Sequence, residues 1–343
     1  MIGIPGIVLV WSASAVAAVA ASAAVLWATR RLRLVDRPTE RSAHARPMPT
    51  AGGLGIMAGF WSGALALWWA GASGESVRSW AGGLGASTAL LVWMAWDDLV
   101  RPLRVLEKLA LVGAAAAVWL WLAGTPPQLG VAPAAAVGSG PAIVAVSALW
   151  LVSLATACNF MDGIDGIVAL HALVTGLAGA ALLAWRGGPW GLPLCLSAAA
   201  AGFLWLNWPP ARLFMGDVGA HFIGFGLATA TLCGQTHGLP LWTGLVLHGV
   251  FVFDTGYTLV RRALHGENLV RAHQKHLYQR LVRCGWSHAR VDVGVGVLDL
   301  LLAGTCLAHL AARTALALLL LGGVAAILVA VVIYVERRDR CFS

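Results

Sequence analysis

T-A-L-A-L-L-L-L-G-G-V-A-A-I-L-V-A-V-V-I-Y-V, residues 314–335, holds no charged side chain and runs straight into E-R-R-D-R. An apolar run of roughly 20 residues matches the hydrocarbon core of a bilayer. A surface helix of a soluble domain would carry a polar face, and this stretch has none. It reads as a membrane span with a basic end, and working back along the chain the same pattern recurs.

Eleven candidate spans are expected, at 7–29, 51–71, 80–96, 106–123, 132–157, 167–185, 191–206, 220–234, 241–260, 291–310 and 314–335. Backbone polar groups must be satisfied inside lipid, so the expected fold is all-α, a polytopic bundle of about 10–11 transmembrane helices. Two of the runs are short and are expected to tilt, kink or sit between neighbours. The first run lacks a charged leader and a clear cleavage site, and is expected to remain as a helix. Of the 343 residues 59% are hydrophobic and only 11% charged, against about a quarter charged in a soluble domain. No linker, low-complexity segment or repeat divides the chain, so residues 1–343 are read as one integral membrane domain. None of the six cysteines forms a C-x-x-C pair, so neither a zinc site nor a disulfide framework is signalled.

The net charge of +8 would suit nucleic acid, but its distribution points elsewhere. If the first span runs outside to inside and the rest alternate, twenty of the 23 Lys and Arg fall in inside loops. Only Arg78, Arg186 and Arg313 fall outside. This is the positive-inside bias, and it predicts the N-terminus outside and the C-terminus inside. The basic loops on that side also suit anionic lipid headgroups and phosphate substrates.

The acids follow the same side. Asp36, Asp97, Asp98, Asp162, Asp165, Asp217 and Asp254 fall at inside helix ends or in inside loops, roughly 30–50, 97–105, 158–167, 207–219 and 261–290. Membrane insertion does not require that clustering, whereas a metal and a phosphorylated ligand do.

In C-N-F-M-D-G-I-D-G-I, 158–167, Asp162 and Asp165 are three apart and are expected to share one face of a helical turn. The plainer alternative is a helix cap and a turn. In N-W-P-P-A-R-L-F-M-G-D-V-G, 207–219, the prolines end one span and Asp217 opens the next helix. There Asp217 suits a metal or simply a cap. Asp97 and Asp98 are adjacent carboxylates that repel unless a cation intervenes, candidates for a base or a metal neighbour. In R-A-H-Q-K-H-L-Y-Q-R-L, 271–281, a helix would bring His273 and His276 to one face beside Arg271, Lys275 and Arg280, a phosphate clamp in preference to a zinc site. The first inside loop offers His44 and Arg46 ahead of Gly52 and Gly53.

In order, these loops resemble the polyprenyl-phosphate N-acetylhexosamine-1-phosphate transferases, glycosyltransferase family 4, a superfamily that includes phospho-N-acetylmuramoyl-pentapeptide transferase. The resemblance rests on D-R-P-x-x-R-x-x-H-x-x-P-x-P-x-x-G-G from Asp36 (matched around His44 and Arg46), D-D at Asp97, N-x-x-D-G-x-D-G from Asn159, F-M-G-D-x-G from Phe214 and H-x-x-H-x-x-Q-R-L from His273. It spans roughly 30–290, and its last motif is nearest to the branch that starts O-antigen or related glycans. It implies Mg2+ (or Mn2+) on Asp217 with Asp98 beside it, and Asp97 and Asp98 at the lipid phosphate. It implies nucleotide and sugar contacts from Asn159, Asp162 and Asp165, uracil stacking by Phe214, and diphosphate contacts from His273, His276 and Arg271, with His44 and Arg46 adding further substrate contacts. Implied partners are a UDP-N-acetylhexosamine, undecaprenyl phosphate and membrane lipids, with no nucleic acid; a homodimer is compatible. Ala220 stands where the family usually has serine, and Gln274 and Lys275 interrupt what is often a run of histidines.

The implied reaction is attack of the lipid phosphate on the β-phosphorus of the UDP-sugar with release of UMP, directly or through an aspartyl intermediate. The competing class is a transporter, with His171, His248 and Asp299 as an intramembrane ion path. Transporters place their sites near the midplane between repeats, and no repeat is visible.

Overall fold

The computed structural model describes residues 4–32, 35–36, 47–70, 85, 88, 93–94, 103–123, 129–132, 135–137, 140–271 and 273–339. The described part is an all-α polytopic bundle. Its helices are α1 Ile4–Leu32, α2 Gly53–Trp69, α3 Val105–Ala123, α4 Pro141–Met161, α5 Ile167–Trp185, α6 Gly191–Asn207, α7 Gly216–Gln235, α8 Leu241–Leu247, α9 Gly249–Leu264, α10 Leu277–Arg283, α11 His288–Leu310 and α12 Thr314–Asp339. Two short antiparallel ladders join β1 Val35–Asp36 to β2 Met48–Pro49 and β3 Leu129–Ala132 to β4 Ala135–Val137.

Six described helices are long and apolar enough to cross a membrane, α1, α3, α4, α5, α11 and α12, and the bent pair α8–α9 counts as a seventh. Helices α2 and α6 are apolar but have 17 residues each, about 25 Å of rise, short of a full crossing. Helix α7 opens on Gly216 and Asp217 and carries His221. The expected run at 80–96 lies almost wholly outside the described residues; residues 85, 88, 93 and 94 are helical.

Two expected spans need correction. The run at 132–157 becomes a helix only from Pro141, because residues up to 137 include the β3–β4 ladder. The run at 241–260 is not one straight span: α8 and α9 meet at His248 with an 81° bend. Hydropathy reads both arms alike and carries no signal for the break.

Small residues let the helices approach. Helix α1 packs on α2 and α6, α5 on α6, α4 on α7, and α11 on α5 and α12. Between α1, α2 and α6, Ser14 Oγ donates to Gly59 O at 2.8 Å and Trp11 Nε1 to Ser197 Oγ at 3.2 Å. Such contacts replace the hydrophobic drive that helices lack in lipid. Elsewhere in the core His171, His248 and Asp299 meet one another. His171 Nδ1 lies 2.9 Å from Asp299 Oδ2, its Nε2 lies 3.2 Å from His248 Nδ1, and all three side chains are buried.

Candidate active site

The site gathers at the ends of helices. Helix α4 ends at Met161, α7 begins at Gly216 and α3 begins at Val105. Lys108, in the first turn of α3, pairs its ammonium with Asp217 Oδ2. Asn159, in the last turn of α4, donates from Nδ2 to Asp217 Oδ1 at 2.9 Å. Both members of the ion pair keep 23% of their side-chain surface exposed. The N-cap of α7 is Met215 and no side chain caps the helix, so Asp217 stands in the first turn with its carboxylate turned to partners on other helices. A carboxylate there also gains from the helix dipole.

The proline- and glycine-punctuated approach to α2 abuts this motif. Phe214 N–H donates to Pro49 O at 2.9 Å, Gly52 N–H to Phe214 O at 2.9 Å and Gly53 N–H to Met215 O at 2.8 Å. A Cβ on Gly53 would collide with the backbone of Gly219, so this contact requires glycine. Phe214 is half-buried, and Ala220 is buried in the core.

Residues 162–166 form a turn and not a helical face. Asp162 C-caps α4, its N–H donating to Asn159 O at 3.3 Å. Helix α4 has ended at Met161, and Gly166, the N-cap of α5, adopts φ +86°. Asp165 points to the 207–213 loop and α11. Its Oδ2 accepts from Ala211 N–H at 3.0 Å and lies 3.4 Å from His288 Nδ1. Asn207 completes the brace, accepting from Gly166 N–H at 2.9 Å and donating to Leu213 O at 3.0 Å.

The histidine segment is likewise not a helix. His276 is the N-cap of α10 and His273 precedes it in extended chain, yet the two rings stack with centroids 5.0 Å apart. Asp254, on α9, accepts from His276 Nδ1, Leu277 N–H and Tyr278 N–H, each at 3.0 Å. Tyr278 OH donates to Phe160 O at 2.9 Å, which ties the segment to the end of α4. Lys275 Nζ bonds Glu267 Oε1 at 2.6 Å, and Arg262 bonds Glu267 and the carbonyls of Leu269 and Arg271. The Lys275 hydrogen bond holds the Glu267 carboxyl below its usual range. Arg271 is exposed. Burial, then the neighbouring His276 and the Arg262 and Lys275 cations, pushes His273 down to about 4, so its ring is neutral at pH 7.

Asn159 and Asp217 therefore meet between the α4 and α7 ends, Asp162 and Phe214 flank those ends in the chain, and the His273–His276 segment is tied to the end of α4 through Tyr278. Asp97, Asp98, His44 and Arg46 lie outside the described residues. Sequence reasoning misses Lys108, Asn207, Asp254 and Tyr278: Lys108 is one of many inside basic residues, Asp254 one acid at a helix end, and no motif marks either.

A divalent cation fits one protein ligand here. Asp217 is a partly exposed carboxylate with an amide beside it, and it already holds a cationic side chain against Oδ2. Magnesium is typically held by one or two carboxylates with substrate phosphates and water completing the shell. Among the described residues no group of three or more His, Cys, Asp or Glu side chains could hold an ion without a substrate.

Residues 80–235 match Glycosyl transferase family 4. The chain is 29% identical over 268 residues to a probable undecaprenyl-phosphate N-acetylglucosaminyl 1-phosphate transferase of Bacillus subtilis, covering 75% of this chain and 72% of the relative. It is 31% identical over 297 residues to the decaprenyl-phosphate N-acetylglucosaminephosphotransferase of Mycolicibacterium smegmatis, covering 76% and 71%. A shorter match, 30% over 162 residues, covers 45% of this chain and 48% of the phospho-N-acetylmuramoyl-pentapeptide-transferase of Levilactobacillus brevis. With the acids of the family's motifs gathered at the ends of α4 and α7 and relatives matched along most of its length, the chain belongs to glycosyl transferase family 4, the polyprenyl-phosphate hexosamine-1-phosphate transferases.

Proposed function

We propose that this protein transfers N-acetylhexosamine-1-phosphate, GlcNAc or a 6-deoxy relative, from a UDP-sugar to undecaprenyl phosphate and so starts a lipid-linked glycan such as O-antigen. The observation that carries this reading is Asp217 held between Lys108 and Asn159 at the N-terminal turn of α7. A carboxylate, an ammonium and an amide at a helix start can receive a diphosphate and its counter-ion.

An oxygen of the lipid phosphate forms a bond to the β-phosphorus of the UDP-sugar. The bond from that phosphorus to the bridging oxygen breaks, and UMP leaves with the electron pair. The work is positioning and charge neutralisation. Lys108 neutralises charge on the departing UMP, and Asn159 holds the Asp217 carboxylate in place. His276 meets the diphosphate, Phe214 stacks on uracil, and Asp162 and Asp165 shape the turn that meets the nucleotide and sugar. Asp97 and Asp98 orient the lipid phosphate, on the strength of the resemblance. Asp217 would hold a magnesium ion, which would supply charge neutralisation at the diphosphate.

The setting is a bacterial inner membrane with the site on the cytoplasmic face, N-terminus outside and C-terminus inside. The basic ends of α9 and α12 support one side for both: Arg261 Nε and Arg280 NH1 bond Glu336 Oε1 at 2.9 and 2.7 Å.

The test is purified protein with undecaprenyl phosphate and a panel of UDP-sugars, reading UMP. Release with a UDP-N-acetylhexosamine, lost on chelation and restored by magnesium or manganese, is expected; no release with any UDP-sugar would reject the assignment. Single-cysteine labelling should place 30–50, 97–105, 207–217 and 261–290 inside, and finding 261–290 outside would rule out a cytoplasmic donor.

A further inference from the structure

Helices α11 and α12 pack as a hairpin, and the open end of that hairpin carries a chain of stacked side chains. The Arg290 guanidinium lies over the Trp286 ring, 4.0 Å from its centroid. Trp286 meets Tyr334 with centroids 6.2 Å apart, and the Arg338 guanidinium lies over Tyr334 at 5.6 Å. The two rings are half-buried against the bundle, while both arginines are exposed. Stacking uses only the flat face of a guanidinium, so its N–H edge stays open to an anion.

Among the described residues no carboxylate pairs with Arg290 or Arg338. Glu336, two positions before Arg338, is turned to another face of α12, where it accepts from Tyr257, Arg261 and Arg280. Two cations joined by two rings and left without a counter-ion favour one from outside the protein.

The helix faces beside the arginines say which kind of anion. Arg290, Val293 and Val297 share one face of α11, three and four positions apart, and both valines are exposed. Ile327, Val331, Tyr334 and Arg338 follow the same spacing on α12, with Ile327 exposed. Both helices are long and apolar enough to cross a membrane, so these faces meet lipid. Each face passes from apolar side chains to a stacked pair of cation and aromatic ring, the order in which a bilayer passes from acyl chains to headgroups. A free phosphate would use the arginines alone, and an uncharged lipid the apolar faces alone. An anionic phospholipid uses both.

We propose that the open end of the α11–α12 hairpin binds an anionic glycerophospholipid, its headgroup on the guanidinium edges of Arg290 and Arg338 and its acyl chains along the two apolar faces. Trp286 and Tyr334 hold the arginines at headgroup depth. The proposal does not depend on the transferase reading, and neither arginine belongs to the site proposed for it.

The experiment titrates full-length protein in a nonionic detergent with dioleoyl phosphatidylglycerol or dioleoyl phosphatidylcholine and reads bound lipid by native mass spectrometry. Wild type should bind phosphatidylglycerol at least about 10-fold more tightly than phosphatidylcholine. Arg290→Gln and Arg338→Gln should each weaken phosphatidylglycerol by about 5-fold and together by about 25-fold, the scale of one basic residue at an anionic surface, with phosphatidylcholine unchanged. Equal binding of the two lipids by wild type, or undiminished affinity in the double variant, would overturn the proposal. A phosphatidylglycerol with a photoreactive acyl chain needs no variant: it should label 286–300 and 327–338 of wild type, and labelling confined to other helices would overturn the proposal. Competition separates the sources of the anion. A second anionic phospholipid should displace phosphatidylglycerol, whereas displacement by inorganic phosphate or by undecaprenyl phosphate would overturn the assignment in favour of a bare anion site or of the acceptor lipid.

Discussion

Two clusters of this molecule use similar side chains to opposite ends. At the helix ends, Asp217 meets Lys108 and Asn159 with 23% of the acid and the lysine exposed. In the membrane core, Asp299 meets His171, which meets His248, and all three are buried. The first cluster borders water, so its partners can be exchanged for an incoming phosphate or ion at modest cost. The second has no water to fall back on. His171 also stacks on Phe251 with centroids 3.8 Å apart, and Asp299 Oδ1 makes no hydrogen bond among the described residues. A group is available for chemistry when its desolvation is incomplete; otherwise its hydrogen bonds are committed to holding helices α5, α9 and α11 together.

That contrast can be broken from either end. The largest effect is expected at the exposed cluster. Asp217→Asn should reduce UMP release by at least about 10³-fold, with a stability change of about 1 kcal/mol or less. A variant that unfolds, or that keeps full turnover, would remove the distinction between the clusters. In the core the pattern should invert. Asp299→Ala leaves His171 Nδ1 without its partner and should cost about 3–5 kcal/mol in a thermal or denaturant melt, while the folded fraction keeps its kcat within about 2-fold. A sharp loss of kcat at unchanged stability would instead show that the core cluster serves the reaction.

The smallest effect sharpens the comparison at the histidine segment, which lies between the two extremes. His273 is held at about 4 in the folded protein against an ordinary value of 6.5. Between those values the unfolded chain binds more protons than the folded one, so stability rises with pH there. The contribution is complete above pH 6.5 and falls away as pH drops toward 4. With the ring half-buried and solvent screening discounted, the loss should be about 1 kcal/mol. Melts at pH 7 and pH 4.5 check it, and His273→Asn should flatten the difference. An unchanged slope in that variant would assign the pH dependence to other groups.

Much of the site was legible as types and order, and little of it as partnership. The acids at Asp162, Asp165 and Asp217 could be read as inside-facing because hydropathy marks helix ends. Their conformations could not. Asp162 and Asp165 sit in a turn, because α4 ends at Met161 and α5 begins only after Gly166, its N-cap at φ +86°. His273 and His276 are neighbours by ring stacking in extended chain, because Asp254 takes the N–H groups that would otherwise continue a helix backwards.

The sequence by itself determined the apolar helices, the gathering of acids and arginines toward their ends, and the family, since each of these is written in local composition or in short ordered motifs. Only the tertiary structure decided that Lys108, 109 positions away, meets Asp217, that one apolar run breaks by 81° at His248, and that Asp254 holds His276. Insertion into lipid depends on the hydropathy of each segment alone. The partner that a buried carboxylate finds depends on which distant helices pack beside it, and no local pattern carries that.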